Sequence, residues 1–284
     1  MRLVHFHTGG DERRVGVLKD ETVRDVTDEV GAFDAALAAV TTGDGVGDGG
    51  EEHDAADVTL LPPTTRRNTT FAVALNYYSH IEEVDRTQEE FERPLIFTKA
   101  TRALVGQGAP IEYDTRLTTD LDYEGELAAV VGEPGRHVAP EDALDHVAGY
   151  TVLNDVTARD LQNVRAKDEE WLDWFSAKGL QNSTPVGPAV VTSDEVGDPN
   201  DLHIETRHNG DVVQDEGTNL MIYDVADLVS YVSSRVELQP GDVVATGTPK
   251  GVGHFQDVSL SDGDELSVTV EGLGTLTNRV EQVE

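Results

Sequence analysis

Residues 121–132 read L-D-Y-E-G-E-L-A-A-V-V-G, and the two halves of that run make opposite demands. Leu127 to Val131 is an uninterrupted apolar segment of the kind that forms a strand buried on both faces. In front of it stand Asp122, Glu124 and Glu126, alternating with Tyr123 and Gly125. Side chains on a strand point to alternate faces, so the three carboxylates share one face, where like charges repel. Two readings are open: a solvated acidic edge, or carboxylates held inside the molecule by a cation. A second run, G-Y-T-V-L-N-D at residues 149–155, ends in another acid, Asp155. Buried carboxylates without a counter-ion take up protons or destabilise the fold, and a hard divalent ion resolves that conflict. Oxygen ligands, with no Cys and no paired His spacing, point to Mg2+, Mn2+ or Ca2+ and away from Zn2+.

The whole chain is acidic. Its 284 residues carry 55 Asp and Glu against 21 Lys and Arg, a formal net charge of -34, with no Cys. Such a surface repels itself in dilute buffer, and is screened at high salt, where the Debye length falls to about 3 Å at 1 M. The composition therefore reads as adaptation of a halophile to its solvent. No basic patch interrupts the acids, so nucleic acid is not an expected partner. Absence of Cys excludes disulfides and thiol catalysis. No apolar run approaches the ~20 residues that span a bilayer, and M-R-L-V-H-F-H lacks the apolar core of a signal peptide, so a soluble, cytoplasmic protein without a membrane partner is expected.

Two short strands around a turn are predicted at the start, from Met1 to Leu18, and helical spacing in Glu21–Val30 and Phe33–Ala39. The Gly- and Asp-rich stretch Thr41–Asp54 reads as surface loop, and L-L-P-P-T-T as a linker. A small N-terminal α/β domain with its linker (1–63) and a catalytic domain (64–284) follow from this division. The second part is expected to be mostly β with short helices, an α+β arrangement, with helices at Glu141–Val147, Ala158–Val164 and Ala226–Ser233. No repeat of fixed period is present, which disfavours solenoids and propellers.

Several blocks together carry a resemblance: A-L-N-Y-Y-S-H-I-E-E (74–83), L-D-Y-E-G-E-L (121–127), G-Y-T-V-L-N-D-V-T-A-R-D-L-Q (149–162), P-V-G-P (185–188), P-G-D-V-V-A-T-G-T-P-K-G-V-G (240–253) and G-L-G-T-L-T-N-R-V (272–280). In this order they resemble the fumarylacetoacetate hydrolase family, in particular its small two-domain acylpyruvase-like and 2-hydroxyhepta-2,4-diene-1,7-dioate isomerase-like members. The resemblance runs from about Phe71 to the C-terminus. It implies a mixed β-sheet roll, a homodimer, and a divalent ion, Mg2+ or Mn2+ with Ca2+ as an alternative, held by Glu124, Glu126 and Asp155. Asp122 is then a structural neighbour of the ligands.

The other candidate residues combine local chemistry with the resemblance. Lys178, in W-F-S-A-K-G, matches the family's active-site lysine and would offset developing enolate charge. Lys99, in L-I-F-T-K-A, is open between a functional role and a salt bridge or snorkelling stem. His80 and Glu83 are three residues apart and face each other on a helical turn. The resemblance places them on a mobile lid, as a pair that activates water. Gln162 resembles a substrate-oxygen contact. Arg159 serves either the substrate or an ion pair with Asp160 or the acidic strand. Thr248 sits in a Gly-rich turn suited to an anionic oxygen, and Tyr77 is placed at the pocket wall. The family's usual Phe-Asp-Thr-Phe run is replaced by Leu180 to Ser183, and Tyr78 stands where a basic residue is common; both changes bear on the substrate's end group.

The implied activity is metal-dependent chemistry on a small 2-oxo acid, with hydrolysis of a carbon–carbon bond in an acylpyruvate or fumarylacetoacetate-type substrate as the first expectation. Isomerisation of 2-hydroxyhepta-2,4-diene-1,7-dioate, decarboxylation of oxaloacetate and dehydration of a 2-keto-3-deoxy sugar acid use the same site chemistry. A protein that binds the metal and a 2-oxo acid without turnover is the alternative from another class.

Overall fold

A computed structural model describes residues 1–10, 12–167 and 169–284. The apolar run forms the strand Gly125–Val131, buried along its whole length inside a twelve-stranded sheet. It pairs antiparallel with Val147–Asn154 on one side and with Val243–Ala245 on the other. Leu127, Ala129 and Val131 pack in one cluster with Ile204, Leu228 and Val268. Ala128 and Val130 belong to another with Leu3, Phe33 and Leu37. Burial on both faces explains the continuous apolar run, each large side chain adding about 1.5–3 kcal/mol.

Beyond Val147–Asn154 the sheet continues through Thr184–Thr192, Arg2–His7, Arg14–Lys19 and Thr22–Asp25 to an edge strand, Glu52–Asp54. The N-terminal strands thus extend the catalytic sheet, joined where Arg2 and Leu3 pair with Val191 and Val190. On the other flank, Thr70–Ala74 and Leu95–Lys99 complete it. A five-stranded sheet, from Asp211–Gly217 through His203–His208, Glu265–Val270 and Gly274–Val283 to Ile111–Asp114, contributes Ile204, Val268 and Val270 to the shared core. The mostly β, α+β architecture expected from the sequence is present. Among the described residues, no helix is long and apolar enough to cross a membrane.

Local expectations hold unevenly. Val225–Ser233 is an α-helix capped by Asp224, whose side chain accepts from the Asp227 amide. Pro140–His146 is a 3-10 helix where a helix was expected. Glu21–Val30 is only partly helical: Thr22–Asp25 is a strand hydrogen-bonded on both sides, so sheet pairing overrides the spacing. Glu52–Asp54, expected in a loop, is its outer partner. The expected helix at 158–164 is replaced by a bridge of Thr157 and Ala158 to Leu121 and Asp122, a single 3-10 turn at Arg159–Leu161 and the strand Asn163–Ala166. Asp11, in the predicted first turn, lies outside the described residues.

Candidate metal centre and active site

Glu124, Glu126 and Asp155 converge where the central strand begins and its neighbour ends. A ligand oxygen from each lies within 4.8 Å of the others. They are only 5%, 1% and 1% exposed, which removes the solvated-edge reading. Two backbone links fix the approach: the Asp155 amide donates to the Glu124 carbonyl at 2.8 Å, and the Glu124 amide to Asn154 Oδ1 at 2.9 Å. Gly125 is required between the glutamates because the second sheet presses on it. A Cβ there would lie 2.2 Å from Thr206 Oγ1 and 2.9 Å from Val268 Cγ1. Glu126 Oε2 accepts from the Gly247 amide at 2.9 Å, and Gly247 adopts φ +90°, a conformation that favours glycine.

Cations surround the carboxylates. Lys178 Nζ donates to Glu124 Oε2 at 2.7 Å and to Asp155 Oδ2 at 2.6 Å. Lys99, the residue left open by its sequence, lies 2.6 Å from Asp155 Oδ1, in a buried ion pair. Arg159 spans the acidic strand, donating from Nε to Asp122 Oδ2 at 2.8 Å and from Nη2 to Glu124 Oε1 at 2.7 Å. Asp122 also accepts from the Gly253 and His254 amides, so it ties a distant loop to the site. Burial alone would raise the Glu124 carboxyl, but Lys178 and Arg159 outweigh it and bring it down to about 2. Glu126 goes the other way: burial, then Asp155 and Glu124, hold it well above the usual carboxylate range. Burial likewise opposes the charge on Lys178, but Asp155 and Glu124 prevail and raise its pKa. For Lys99 burial prevails and lowers it.

This donor set fits a hard divalent cation. Oxygen ligands converge from three carboxylates, and Glu126 has no cationic partner of its own among the described residues.

Beside the cluster lies a cavity of about 250 Å³ whose lining includes His80, Glu124, Arg159, Gln162, Lys178 and Thr248. His80 Nδ1 is 2.9 Å from Glu83 Oε2. Glu83 Oε1 accepts from the Gly251 amide at 2.8 Å, so the pair is braced by the same loop that meets Asp122. Gln162 Oε1 accepts from Arg159 Nη1 at 3.3 Å. Thr248 accepts from Gln214 Nε2 and donates to the Gly125 carbonyl, which holds its hydroxyl in place.

Tyr77 differs from its expected place. It is fully buried in the core with Val73 and Leu228 and does not line the cavity; burial, then Glu126 and Glu216, raises its phenol above the ordinary range. Arg159 does not pair with Asp160, which instead accepts from Thr118 and the Thr119 amide. Leu172, Trp174, His254 and Phe255 also line the cavity and were not foreseen. Their only sequence signal is an unusual density of aromatic and His residues at 171–175 and 254–255, which does not say where either segment folds.

Residues 69–281 match the family described as fumarylacetoacetate hydrolase, C-terminal. Over 227 residues the chain is 40% identical to the human mitochondrial oxaloacetate tautomerase FAHD2A, covering 79% of this chain and 70% of that protein. The solved fumarylacetoacetate hydrolase of Exiguobacterium antarcticum superposes with a TM-score of 0.84 at 39% identity over 100% of both chains. Maleylpyruvate hydrolase from Sphingobium sp. SYK-6, solved with manganese(II) and pyruvate, gives a TM-score of 0.79 at 26% identity, again over 100% of both.

Proposed function

On the premise that this chain belongs to the fumarylacetoacetate hydrolase family, we propose that it interconverts the keto and enol forms of a short 2-oxo diacid of the oxaloacetate type. The chain is an enzyme of this family, associated with a metal-type acidic triad and with small oxo acids as substrates. The observation that carries the finer reading is the His80–Glu83 pair on the wall of a small cavity that also contains Glu124, Arg159 and Lys178. The 40% identity to an oxaloacetate tautomerase supports it.

The Glu83 carboxylate accepts a hydrogen from His80 Nδ1, which leaves Nε2 with the lone pair. His80 is then the base that removes a proton from the carbon next to the 2-oxo group. The electrons of that C–H bond form the carbon–carbon double bond, the carbonyl π electrons move onto oxygen, and that oxygen takes up a proton from solvent while His80 releases to solvent the one it removed; no atom is lost. Lys178 offsets the negative charge that develops on that oxygen. Gln162 and Thr248 orient the substrate's remaining oxygens. A divalent ion on Glu124, Glu126 and Asp155, Mg2+ or Mn2+ in this reading, would polarise the 2-oxo group. In a chain of net charge -34, the lining carries Lys178 and Arg159 against a single carboxylate, Glu124, among the described residues. That local reversal suits a dianionic substrate. A homodimer and a cytoplasmic location remain part of the proposal.

A second reading, hydrolysis of an acylpyruvate, is favoured by the maleylpyruvate hydrolase solved with manganese and pyruvate. His80 would then take a proton from water as it adds to the distal carbonyl. The bond between that carbonyl and the methylene breaks, its electron pair leaving on the pyruvate enolate, and the methylene carbon takes up the proton from His80 to give pyruvate and a carboxylic acid. The test is to add enol-oxaloacetate and, separately, an acylpyruvate to the Mg2+- or Mn2+-loaded protein at high salt. Enol absorbance lost above the spontaneous rate, without pyruvate release, supports tautomerisation. Pyruvate released from the acylpyruvate alone supports hydrolysis, and inertness toward both overturns both readings.

A further inference from the structure

The catalytic cavity is not the largest in the molecule. A cleft of about 590 Å³ opens elsewhere, lined by Arg13, Arg66 and Arg102 together with Thr64, Thr65 and Thr101. Acids outnumber basic residues 55 to 21 in this chain, yet among the described residues no carboxylate lines this cleft. None of the three arginines has a carboxylate within ion-pair distance among those residues either. Arg13 binds its proton less tightly than an isolated arginine, because of burial and then because of the facing Arg66. An adjoining cleft of about 400 Å³ shares Arg13, Thr65 and Arg66, adds Arg67, and has Asp34 as its one acid among the described residues. Like-charged guanidinium groups gathered around threonine hydroxyls form a receptor for oxygen anions, because the planar fork bonds carboxylate or phosphate in pairs.

The cleft is also wired to Lys99 and Lys178. Thr101 and Arg102 follow Lys99, and Gln181 and Asn182, on the same wall, follow Lys178. The two turns are bonded together: the Asn182 amide donates to the Arg102 carbonyl at 3.0 Å, and the Glu112 amide donates to the Asn182 carbonyl at 2.9 Å. Asn182 is in the left-handed region at φ +52°, so this turn has little freedom to shift without moving its neighbours. A ligand that draws Arg102 inward acts on the segments that carry Lys99 and Lys178, both of which hold Asp155.

We propose that the arginine-lined cleft is a regulatory site for a small multivalent oxyanion, a phosphate ester or a polycarboxylate, whose binding is felt at the two lysines of the metal centre. Binding itself does not depend on which reaction the enzyme catalyses.

The test is calorimetric titration of the full-length, metal-free protein with pyrophosphate and with tricarballylate, at constant ionic strength in chloride. The same titrations are run on R66Q/R102Q and on H80A. Saturable binding that weakens about tenfold or more in R66Q/R102Q and persists in H80A is expected, and the tighter of the two probes identifies the anion class. With the metal restored, the same anion should change kcat/KM in the parent protein and leave R66Q/R102Q unaffected. Binding unchanged by R66Q/R102Q, or lost in H80A, overturns the proposal, because the anion then sits elsewhere or in the catalytic cavity. So does the absence of anion binding by the parent; a shift of R66Q/R102Q to a smaller assembly in gel filtration would then make the cleft an interface between copies.

Discussion

One sheet carries two acid-x-acid segments with opposite fates. At its edge Glu52 and Asp54 flank His53, and both carboxylates are exposed. At its centre Glu124 and Glu126 flank Gly125, and both are buried. The spacing is the same, so spacing does not make a site. The edge strand has a neighbour on one side only, and its acids face solvent. The central segment has strands on both sides, a second sheet against Gly125 and the cations Lys178 and Arg159 within 2.7 Å of Glu124. A buried carboxylate is tolerable only with such partners.

The comparison is broken most severely at the centre. Replacing Glu126 or Asp155 with the amide should abolish metal-dependent turnover, a loss of several kcal/mol in transition-state stabilisation and about a thousandfold or more in kcat/KM. Next in size, H80A and E83Q should each lower kcat by about 10²–10⁴-fold. They should leave intact the rise in Tm that divalent ions produce, which separates proton transfer from metal binding. The K99M change leaves Asp155 Oδ1 without its only ion-pair partner among the described residues. Metal-free protein should lose about 3–5 kcal/mol in denaturant unfolding, and saturating divalent ion should recover part of it. G125A forces a Cβ against Thr206 and Val268; about 1–3 kcal/mol of destabilisation is expected. At the edge, E52Q should stay within about 0.5 kcal/mol of the parent and leave turnover unchanged. A large effect there would erase the distinction between the two segments.

The central strand was legible because burial on both faces writes itself as a continuous apolar run. The ligand face was legible because alternation carries through Glu124 and Glu126, even though the strand is interrupted at Tyr123 and Glu124. Lys178 stood out as a cation in an apolar segment of an acid-rich chain. Other features are properties of the assembled fold. Tyr77 immediately precedes the helix Tyr78–Glu83, yet its ring turns into the core, a choice made by residues far along the chain such as Leu228. His254 and Phe255 reach the cavity through a loop fixed by Asp122, 132 residues earlier than His254. Thr22–Asp25 carries helical spacing and forms a strand, because its hydrogen-bonding partners are supplied by Arg14–Lys19 and Glu52–Asp54. The arginine cleft gathers residues from 13 to 182 and has no contiguous motif.

The central claim is that Glu124, Glu126 and Asp155 form a divalent site distinct from the acidic surface. Titration of the protein with Mn2+ at high salt, followed by the paramagnetic resonance of free and bound ion, tests it most directly. One tight site per chain that vanishes in E126Q/D155N and persists in E52Q is the predicted result. Equal binding by E126Q/D155N and the parent protein would contradict it, and would assign the ion to the surface carboxylates.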